Sequence, residues 1–461
     1  YNAEKNVAVK LAQLCESELK GVNTDMNSLI ALTERETGIT LSEKQKYAVI
    51  TSLSYGVSVI TGGPGTGKTT IINSIINVLS HGGHKIAIAA PTGRAAKRIT
   101  ETSGHFAQTI HRLLEYYYSE GEDAMRFGKT AEDPLDYDAV IIDEASMVDL
   151  LLMNGLVNAL KPGTRLIMVG DADQLPSVGA GNVLRDIIDS EYVYSVKLDE
   201  IFRQARESLI VVNAHRINKG EYPSINEKDK DFFFMRRNGE LEILETVKQL
   251  YKERLPRYYT NCEPVRDIQV LTPVRKGLIG SINLNKELQA VLNPLRAGLV
   301  EKKYGDKVFR VGDKVMQIRN NYELAWKRLS DFTEGEGVFN GDVGFIDSID
   351  VEFNEMTVVF DEDKYVKYDV TNFDELELAY AVTVHKSQGS EFPIVIMPVS
   401  WFPPMLATRN LLYTAVTRGK EAVVLVGSEQ KLFAIVDNNA ITKRYSGLAV
   451  RLRSIGCDGM L

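Results

Sequence analysis

The nine residues GGPGTGKTT, Gly62 to Thr70, constrain this chain more than any other stretch. They follow the apolar run VSVIT and precede TTIINSIINVLS, whose apolar residues recur at helical spacing. A strand that turns through glycines into a helix matches G-x-x-x-x-G-K-[ST] at Gly62, Gly67, Lys68 and Thr69. The glycines let backbone N–H groups wrap phosphate oxygens at a helix N-terminus, Lys68 reaches the β and γ phosphates, and Thr69 ligates Mg2+. Gly63, Pro64, Gly65, Thr66 and Thr70 complete the cradle. Average residue usage produces this pattern in a chain of such length roughly one or two times in a hundred, so a plain glycine turn is a poor account of it.

A phosphate loop of this kind needs a parallel sheet behind it, and the chain supplies two sets of strands. VSVITG (57–62), KIAIAAP (85–91), AVIID (139–143) and RLIMVGD (165–171) alternate with helical stretches. IQVLTP (268–273), YAVTV (380–384), IVIMPV (394–399) and AVVLVGS (422–428) repeat the rhythm, which predicts two α/β domains in tandem. Two segments interrupt it. Residues 115–138 are polar, aromatic and glycine-punctuated, as expected of an inserted β-hairpin. Residues 303–372 contain DKVMQI, GDVGFIDSID, MTVVF and KYVKYDV, short strands separated by turn residues, which predict a small antiparallel barrel.

Composition bounds this reading without directing it. A chain of 461 residues, 44% hydrophobic, has enough apolar material for two or three cores. Its longest apolar stretches are broken by prolines and fall short of the roughly 18 residues a membrane helix needs, so no span is expected. Cys15, Cys262 and Cys457 are odd in number and far apart, fitting neither a disulfide framework nor a zinc site, and a reducing cytoplasm is the simplest compartment. The formal charge of −8 gives no whole-chain signature of nucleic-acid binding, although a local basic track is compatible with it. The chain opens at Tyr1 inside an amphipathic pattern, which reads as a fragment or processed chain.

Three further positions carry chemistry. The strand AVII runs into Asp143 and Glu144; at the carboxyl edge of a parallel sheet Asp143 is placed to hold Mg2+ and Glu144 to polarise an attacking water. Two adjacent acids on their own would be a solvated pair, and the P-loop is what favours the catalytic reading. Gln174, in ADQLPSVGAG after the next strand, either senses the γ phosphate with its amide or makes local backbone bonds. His385, in AVTVHKSQGSEFP, suggests by itself proton transfer, metal binding or a phosphate contact; the lack of a matching Cys/His set argues against metal.

GGPGTGKTT, APTGRAAKR (90–98), TIHRLL (109–114), IIDEASMVD (141–149), GDADQLPSVGAG (170–181), IFRQ (201–204), AYAVTVHKSQGSEF and LLYTAVTRGK (411–420) resemble, in order, the motif series of superfamily-one DNA helicases. More narrowly the chain resembles the RecD-like ATP-dependent helicases of the 5′-to-3′ branch, over about residues 39–455. The resemblance implies two tandem RecA-like P-loop domains: a helical remnant or linker at 1–38, a first motor domain at 39–199 with a pin hairpin at 115–138, a second at 200–302 and 373–461, and an SH3-like barrel at 303–372. It implies ATP and Mg2+ as cofactors, single-stranded DNA and tailed duplex DNA as partners, a monomeric motor with a role in repair or recombination, and protein partners reached through a region preceding Tyr1.

At matching positions the resemblance also assigns roles. Gln45 matches the glutamine that reads adenine. Arg203 and Arg418 match the arginines that approach the γ phosphate from the second domain. Pro91, Thr92, Gly93 and Arg94, with Thr272, Pro273 and Arg275, match positions that hold the backbone of single-stranded DNA; each alone is equally a loop turn. His111 shifts from a packed histidine toward a DNA-facing one. Tyr116, Tyr117, Tyr118 and Phe127 in the hairpin either stack on bases or hold the loop down. Asn340, in FNGDVG, either faces DNA or makes a hairpin turn. Thr383, His385 and Lys386 would face DNA while Gln388, Gly389 and Glu391 lie toward ATP, so that His385 couples the two ligands. Two other classes stay in view. A P-loop GTPase should carry an N-K-x-D-like guanine reader and none stands beside the later strands; a small-molecule kinase would not need Arg203 and Arg418; and a nucleic-acid-binding switch would use ATP with little unwinding.

Overall fold

Every residue of Val57–Gly62, Ala139–Ile142 and Arg165–Gly170 is buried, Ser58, Thr61 and Arg165 included, and strands buried on both faces require helices above and below. The computed structural model, which describes residues 1–21, 26–119, 124–227, 230–440 and 444–458, has this arrangement twice. The chain divides into two compact units, Tyr1–Glu207 with Thr442–Leu461, and Ser208–Ile441.

In the first unit a six-stranded parallel sheet has the order Gln108–Thr109, Ile86–Ala90, Ala139–Ile142, Arg165–Gly170, Val57–Gly62, Tyr194–Leu198. Alternate residues of its strands feed two cores. Val57, Val59, Val140, Ile142, Leu166 and Met168 pack on one face with helix residues Leu11, Leu156 and Ile187. Ile60, Ile141, Ile167 and Val169 pack on the other with Ala48, Ile75 and Ile99. The helix Glu43–Ser54 is started by a capping box, in which Ser42 accepts from Gln45 N–H and the Gln45 side chain accepts from Ser42 N–H at 3.0 Å. The hairpin Tyr116–Ser119 with Ala124–Phe127 stands apart from the sheet; Tyr116 faces Phe127 and Tyr117 faces Arg126.

The second unit carries a five-stranded parallel sheet, ordered Ala381–Thr383, Ile268–Thr272, Phe392–Val399, Gly419–Gly427, Phe232–Arg236. Inserted in it is a seven-stranded antiparallel sheet ordered Glu334–Val338, Asn321–Arg328, Lys364–Asp369, Glu355–Phe360, Val343–Asp350, Lys314–Gln317, Leu376–Leu378. Its own core includes Phe309, Ile346, Val358, Phe360 and Tyr368. Buried Asp313 ties the insertion to the five-stranded sheet's domain. Its carboxylate accepts from Gln289 Nε2 at 2.6 Å, Arg310 N–H at 2.7 Å, Asn293 Nδ2 at 2.8 Å and the Tyr380 hydroxyl at 2.9 Å, so a buried charge is fully hydrogen-bonded.

Several boundaries differ from the sequence expectation. The helices Asn2–Glu16 and Met26–Thr37 are part of the first unit rather than a remnant beside it, because Val7, Leu11 and Leu14 enter one core and Leu29 and Ile30 the other. Residues 442–461 leave the second domain for the first unit: helix Leu448–Asp458 buries Leu448 and Leu452 against the core that holds Leu184 and Ile187, and Glu4 accepts from Gly447 N–H at 3.1 Å. The inserted sheet runs past residue 372 to Leu378, since Leu376–Leu378 pairs with Lys314–Gln317. Among the described residues no helix is long and apolar enough to cross a membrane.

The close approach of the first helix to the P-loop strand gives a test of this packing. A Cβ on Gly56 would stand 1.9 Å from the Leu14 carbonyl oxygen, with no flexible side chain to yield. Gly56→Ala is expected to cost about 2 to 3 kcal/mol, as overpacked core substitutions do, and to lower the melting temperature by roughly 4 to 12 °C. A thermal melt unchanged within error would refute the contact.

Candidate nucleotide site and nucleic-acid interface

Because the strands Val57–Gly62, Arg165–Gly170 and Ala139–Ile142 are parallel neighbours, the loops after all three meet at one sheet edge. Gly65 and Gly67 adopt φ of 72° and 81°, the left-handed region that glycine occupies without strain, and Gly67 caps the helix Lys68–His81. Lys68 folds over the loop, donating from Nζ to Gly62 O at 2.6 Å and Gly63 O at 2.9 Å. Thr69 and Thr70 lie in the first helical turn, and Thr66 Oγ1 donates back to Gly63 O at 2.8 Å, closing the turn.

Gln45 is buried against this loop. Its Nε2 donates to Thr66 O at 3.4 Å while its Oε1 stays in the capping box, so one side chain starts a helix and braces the P-loop. Phe202 closes the other side: its N–H donates to Gly65 O at 3.3 Å and its ring lies against Gly67. That contact explains a correction. The helix Arg203–Arg206 belongs to the P-loop unit, not to the second domain, because the residue before it is pinned to the P-loop.

Asp143 is half-buried, and burial together with the neighbouring Glu144 carboxylate pushes its carboxyl up to about 6, opposed by the Glu144 N–H and Lys68. Glu144 adopts φ 51° and ψ 39°, an unusual conformation for a residue with a side chain, held by Asp143 Oδ1 accepting from its N–H at 2.8 Å. Strain of this kind at the end of a buried strand aims the Glu144 side chain away from the strand's own direction. Gln174 is buried and oriented: its Nε2 donates to Asp171 Oδ2 at 3.2 Å, and Asp171 Oδ1 accepts from Asp173 N–H at 3.1 Å. Thr61 Oγ1 in turn accepts from Ala172 N–H, joining this loop to the P-loop strand.

The donors suit magnesium. Asp143 and Thr69 offer hard oxygens, and a carboxyl whose charged form is disfavoured by burial gains from an adjacent cation. Such a site uses few protein ligands and completes its shell with phosphate and water.

The predicted DNA-side residues of this unit occupy two places. Pro91, Thr92, Gly93 and Arg94 are half-buried at the start of helix Gly93–Ser103, where Thr92 caps the helix by accepting from Ala95 N–H. His111 packs edge-on against Tyr116 at 5.2 Å and tilted against Phe127 at 6.3 Å, and Tyr116 meets Phe127 at 4.8 Å. Burial lowers the His111 pKa, with Asp149 acting against it. Phe127 also lies on Gly155. These three rings therefore root the hairpin, whereas Tyr117 is half exposed; the tip, 120–123, and the side chain of Tyr118 lie outside the described residues.

In the second unit Thr272 and Pro273 are buried, and the Thr272 hydroxyl donates to Ile279 O at 2.8 Å. Thr272 therefore shapes the loop and Arg275 is its exposed end. Arg275, Thr383 and Lys386 come together around one small cavity with Glu377. His385 is half-buried in the 3-10 turn Val384–Ser387. Asn340 stands elsewhere, exposed at the turn before Val343–Asp350, where Gly341 has φ 96° and Asn340 N–H donates to Asn320 Oδ1. Its turn role is the one visible.

Arg418 is buried and joined to the Gln388–Glu391 loop. It donates from Nη1 to Ser390 O at 3.1 Å, from Nε to Thr414 O at 3.3 Å and from Nη2 to Thr417 Oγ1 at 3.3 Å. Gly389 adopts φ 70°, and Glu391 pairs with Lys420 at 3.3 Å. Sequence reasoning passed over several residues of both sites. Arg98 lies 3.9 Å from the Glu144 carboxylate, Asp171 orients Gln174, and Glu377 holds two of the cations assigned to DNA. Arg98 and Asp171 stand inside the quoted motifs APTGRAAKR and GDADQLPSVGAG; nothing in the local sequence of Glu377 marks it.

Comparison with known proteins agrees with this layout. Residues 45–180 match the family described as an AAA domain, 284–360 the ATP-dependent RecD-like DNA helicase SH3 domain, and 378–426 the UvrD-like helicase C-terminal domain. The ATP-dependent RecD2 DNA helicase of Deinococcus radiodurans is 34% identical over 388 residues, covering 84% of this chain and 49% of the relative, so the chain spans about half the length of that protein. The RecBCD enzyme subunit RecD of Mycobacterium tuberculosis is 31% identical over 465 residues, covering 90% of this chain and 74% of the relative. Among solved structures, Bacteroides Pif1 bound to ssDNA superposes with a TM-score of 0.50 at 20% identity, over 91% of this chain and 98% of that one, a likeness of fold.

Proposed function

The chain belongs to the RecD-like DNA helicases, and from that premise we propose that it is an ATP-driven motor that moves 5′ to 3′ on single-stranded DNA and unwinds duplex ahead of it. The observation that carries the proposal is the convergence of Lys68, Asp143, Glu144 and Gln174 on one sheet edge, with Glu144 at φ 51° beside an acid whose carboxyl is pushed up. Lys68 would hold the β and γ phosphates, Gln45 the adenine, and Thr69 with Asp143 the Mg2+, which when bound neutralises charge on the phosphate oxygens. Glu144 accepts a proton from the attacking water, Gln174 orients that water, and Arg203 and Arg418 stabilise the charge that develops on transfer. Gln388, Gly389 and Glu391 complete the nucleotide side of the second unit.

On the DNA side, Pro91, Thr92, Gly93, Arg94, Arg275, Thr383, His385 and Lys386 hold the strand's backbone. Thr272 and Pro273 shape the loop that presents Arg275. The hairpin rooted by His111, Tyr116 and Phe127 splits the duplex, with Tyr117 as its exposed ring. Asn340 adds a contact from the inserted sheet. DNA stacking costs about 1.4 kcal/mol per step on average, so ATP-driven advance by a small step is energetically sufficient. We place the motor, as a monomer, in repair or recombination.

The test is ATP turnover with and without single-stranded DNA, followed by unwinding of duplexes bearing a 5′ or a 3′ tail. Strong stimulation and a requirement for the 5′ tail are expected. A turnover indifferent to DNA would leave only a nucleotide switch, and preference for the 3′ tail would reverse the polarity. His385→Ala should weaken stimulation by DNA more than unstimulated turnover; equal loss of both would return His385 to simple packing.

A further inference from the structure

Glu377 lies outside the nucleotide chemistry and among cations. It stands on Leu376–Leu378, the strand that pairs with Lys314–Gln317 and leads into Ala381–Thr383. One carboxylate oxygen accepts from Arg275 Nη2 at 2.7 Å, the other from Lys386 Nζ at 2.8 Å. Lys307, half-buried, is held beside them by donating to Leu376 O at 2.6 Å. Burial alone would raise the Glu377 pKa, but Lys386, Arg275 and Lys307 overturn that and hold the carboxyl below its ordinary value. The space that Glu377 shares with Arg275, Thr383 and Lys386 is only about 10 Å³, room for about one water. That space has no room for a phosphate group beside the carboxylate, which already holds both cations.

We propose that Glu377 is an internal counter-anion that competes with a DNA phosphate for Arg275 and Lys386. Carboxylate and phosphate present the same paired oxygens to a guanidinium and an ammonium, so one replaces the other on the same donors. Cations whose charge is offset by a resident carboxylate neutralise less phosphate charge and so displace fewer of the counterions condensed on DNA, which weakens the grip of this unit and makes it less sensitive to salt. A motor needs a hold that breaks every cycle, and a resident anion ready to retake the cations supplies one. This inference rests on the reading that Arg275 and Lys386 face single-stranded DNA.

The experiment is anisotropy of a labelled oligothymidylate titrated with the full chain across a range of salt, for wild type, Glu377→Gln, Glu377→Ala, Arg275→Ala and Lys386→Ala. Both Glu377 variants should bind about three- to tenfold tighter at low salt, and the slope of log affinity against log salt should steepen by up to about 0.7, the share of the one negative charge removed. Arg275→Ala and Lys386→Ala should weaken binding. If those two leave affinity unchanged, the DNA-facing reading of the cations fails and the competition with it. If they weaken binding while both Glu377 variants bind no tighter and keep the wild-type slope, the competition alone is overturned and Glu377 only positions its neighbours. Two Glu377 variants are used so that a folding defect in one leaves the other to decide.

Discussion

Glu144→Gln is expected to reduce ATP hydrolysis by about 10³-fold while nucleotide affinity stays within a few-fold of wild type, a separation that general-base loss produces and loop collapse does not. The geometry supports the separation. Lys68 and the N–H groups of the loop and helix N-terminus, which would hold phosphate, are set by the loop's own hydrogen bonds, whereas the Glu144 backbone is fixed by Asp143. The amide is nearly the same size as the acid, keeps the side chain in place and cannot take a proton from water. Arg98, 3.9 Å away and partly exposed, loses a weak pair and little stability. Lys68→Ala should behave differently, abolishing hydrolysis and weakening binding together, because the ammonium would meet the phosphates in both the ground and transition states. Single-turnover hydrolysis alongside fluorescent-nucleotide binding distinguishes the two. A glutamine variant still hydrolysing within about tenfold of wild type would remove Glu144 from the role of base.

The parts of this molecule legible in the sequence are those with local signals. The P-loop, the two acids ending an apolar strand and the alternation of strands with helices depend on contiguous residues, and each appears where expected. What escaped depends on distant partners. Val7, Leu11 and Leu14 have the spacing of any amphipathic helix, and only the sheet they pack on makes them part of the motor core. The C-terminal helix follows the last strand of the second sheet, so chain order assigned it there; Leu448, Leu452 and the Glu4 carboxylate assign it to the first unit. Thr272 reads as a free hydroxyl at a strand end, yet the next turn of chain brings Ile279 O within 2.8 Å and buries it. Glu377 is one acid in a polar stretch until Arg275, 102 positions earlier, folds onto it.

Gly67→Ala is expected to weaken ATP binding by roughly 100-fold, the counterpart of a variant that spares binding and stops hydrolysis. Two costs add. At φ 81° a Cβ meets its own backbone, at about 1 to 2 kcal/mol, and it would also stand 2.3 Å from Gln45 Nε2 and 3.2 Å from the Phe202 ring. The glutamine tip is ordinarily the kind of group that swings aside. Here it is not free to, because its oxygen accepts from Ser42 N–H in the capping box that starts Glu43–Ser54, so moving it undoes a cap worth about 1 kcal/mol. The alanine thus forces either the loop to open or the helix start to loosen, and both displace the N–H groups that would face phosphate. The double variant Gly67→Ala with Gln45→Ala separates these causes. It removes the collision and leaves the backbone strain, so it should recover part of the lost affinity, about tenfold, even though Gln45→Ala alone weakens binding. Losses that simply add would show that Gln45 reads its ligand without bracing the P-loop, whereas partial recovery ties the adenine-side glutamine and the phosphate loop into one preformed unit.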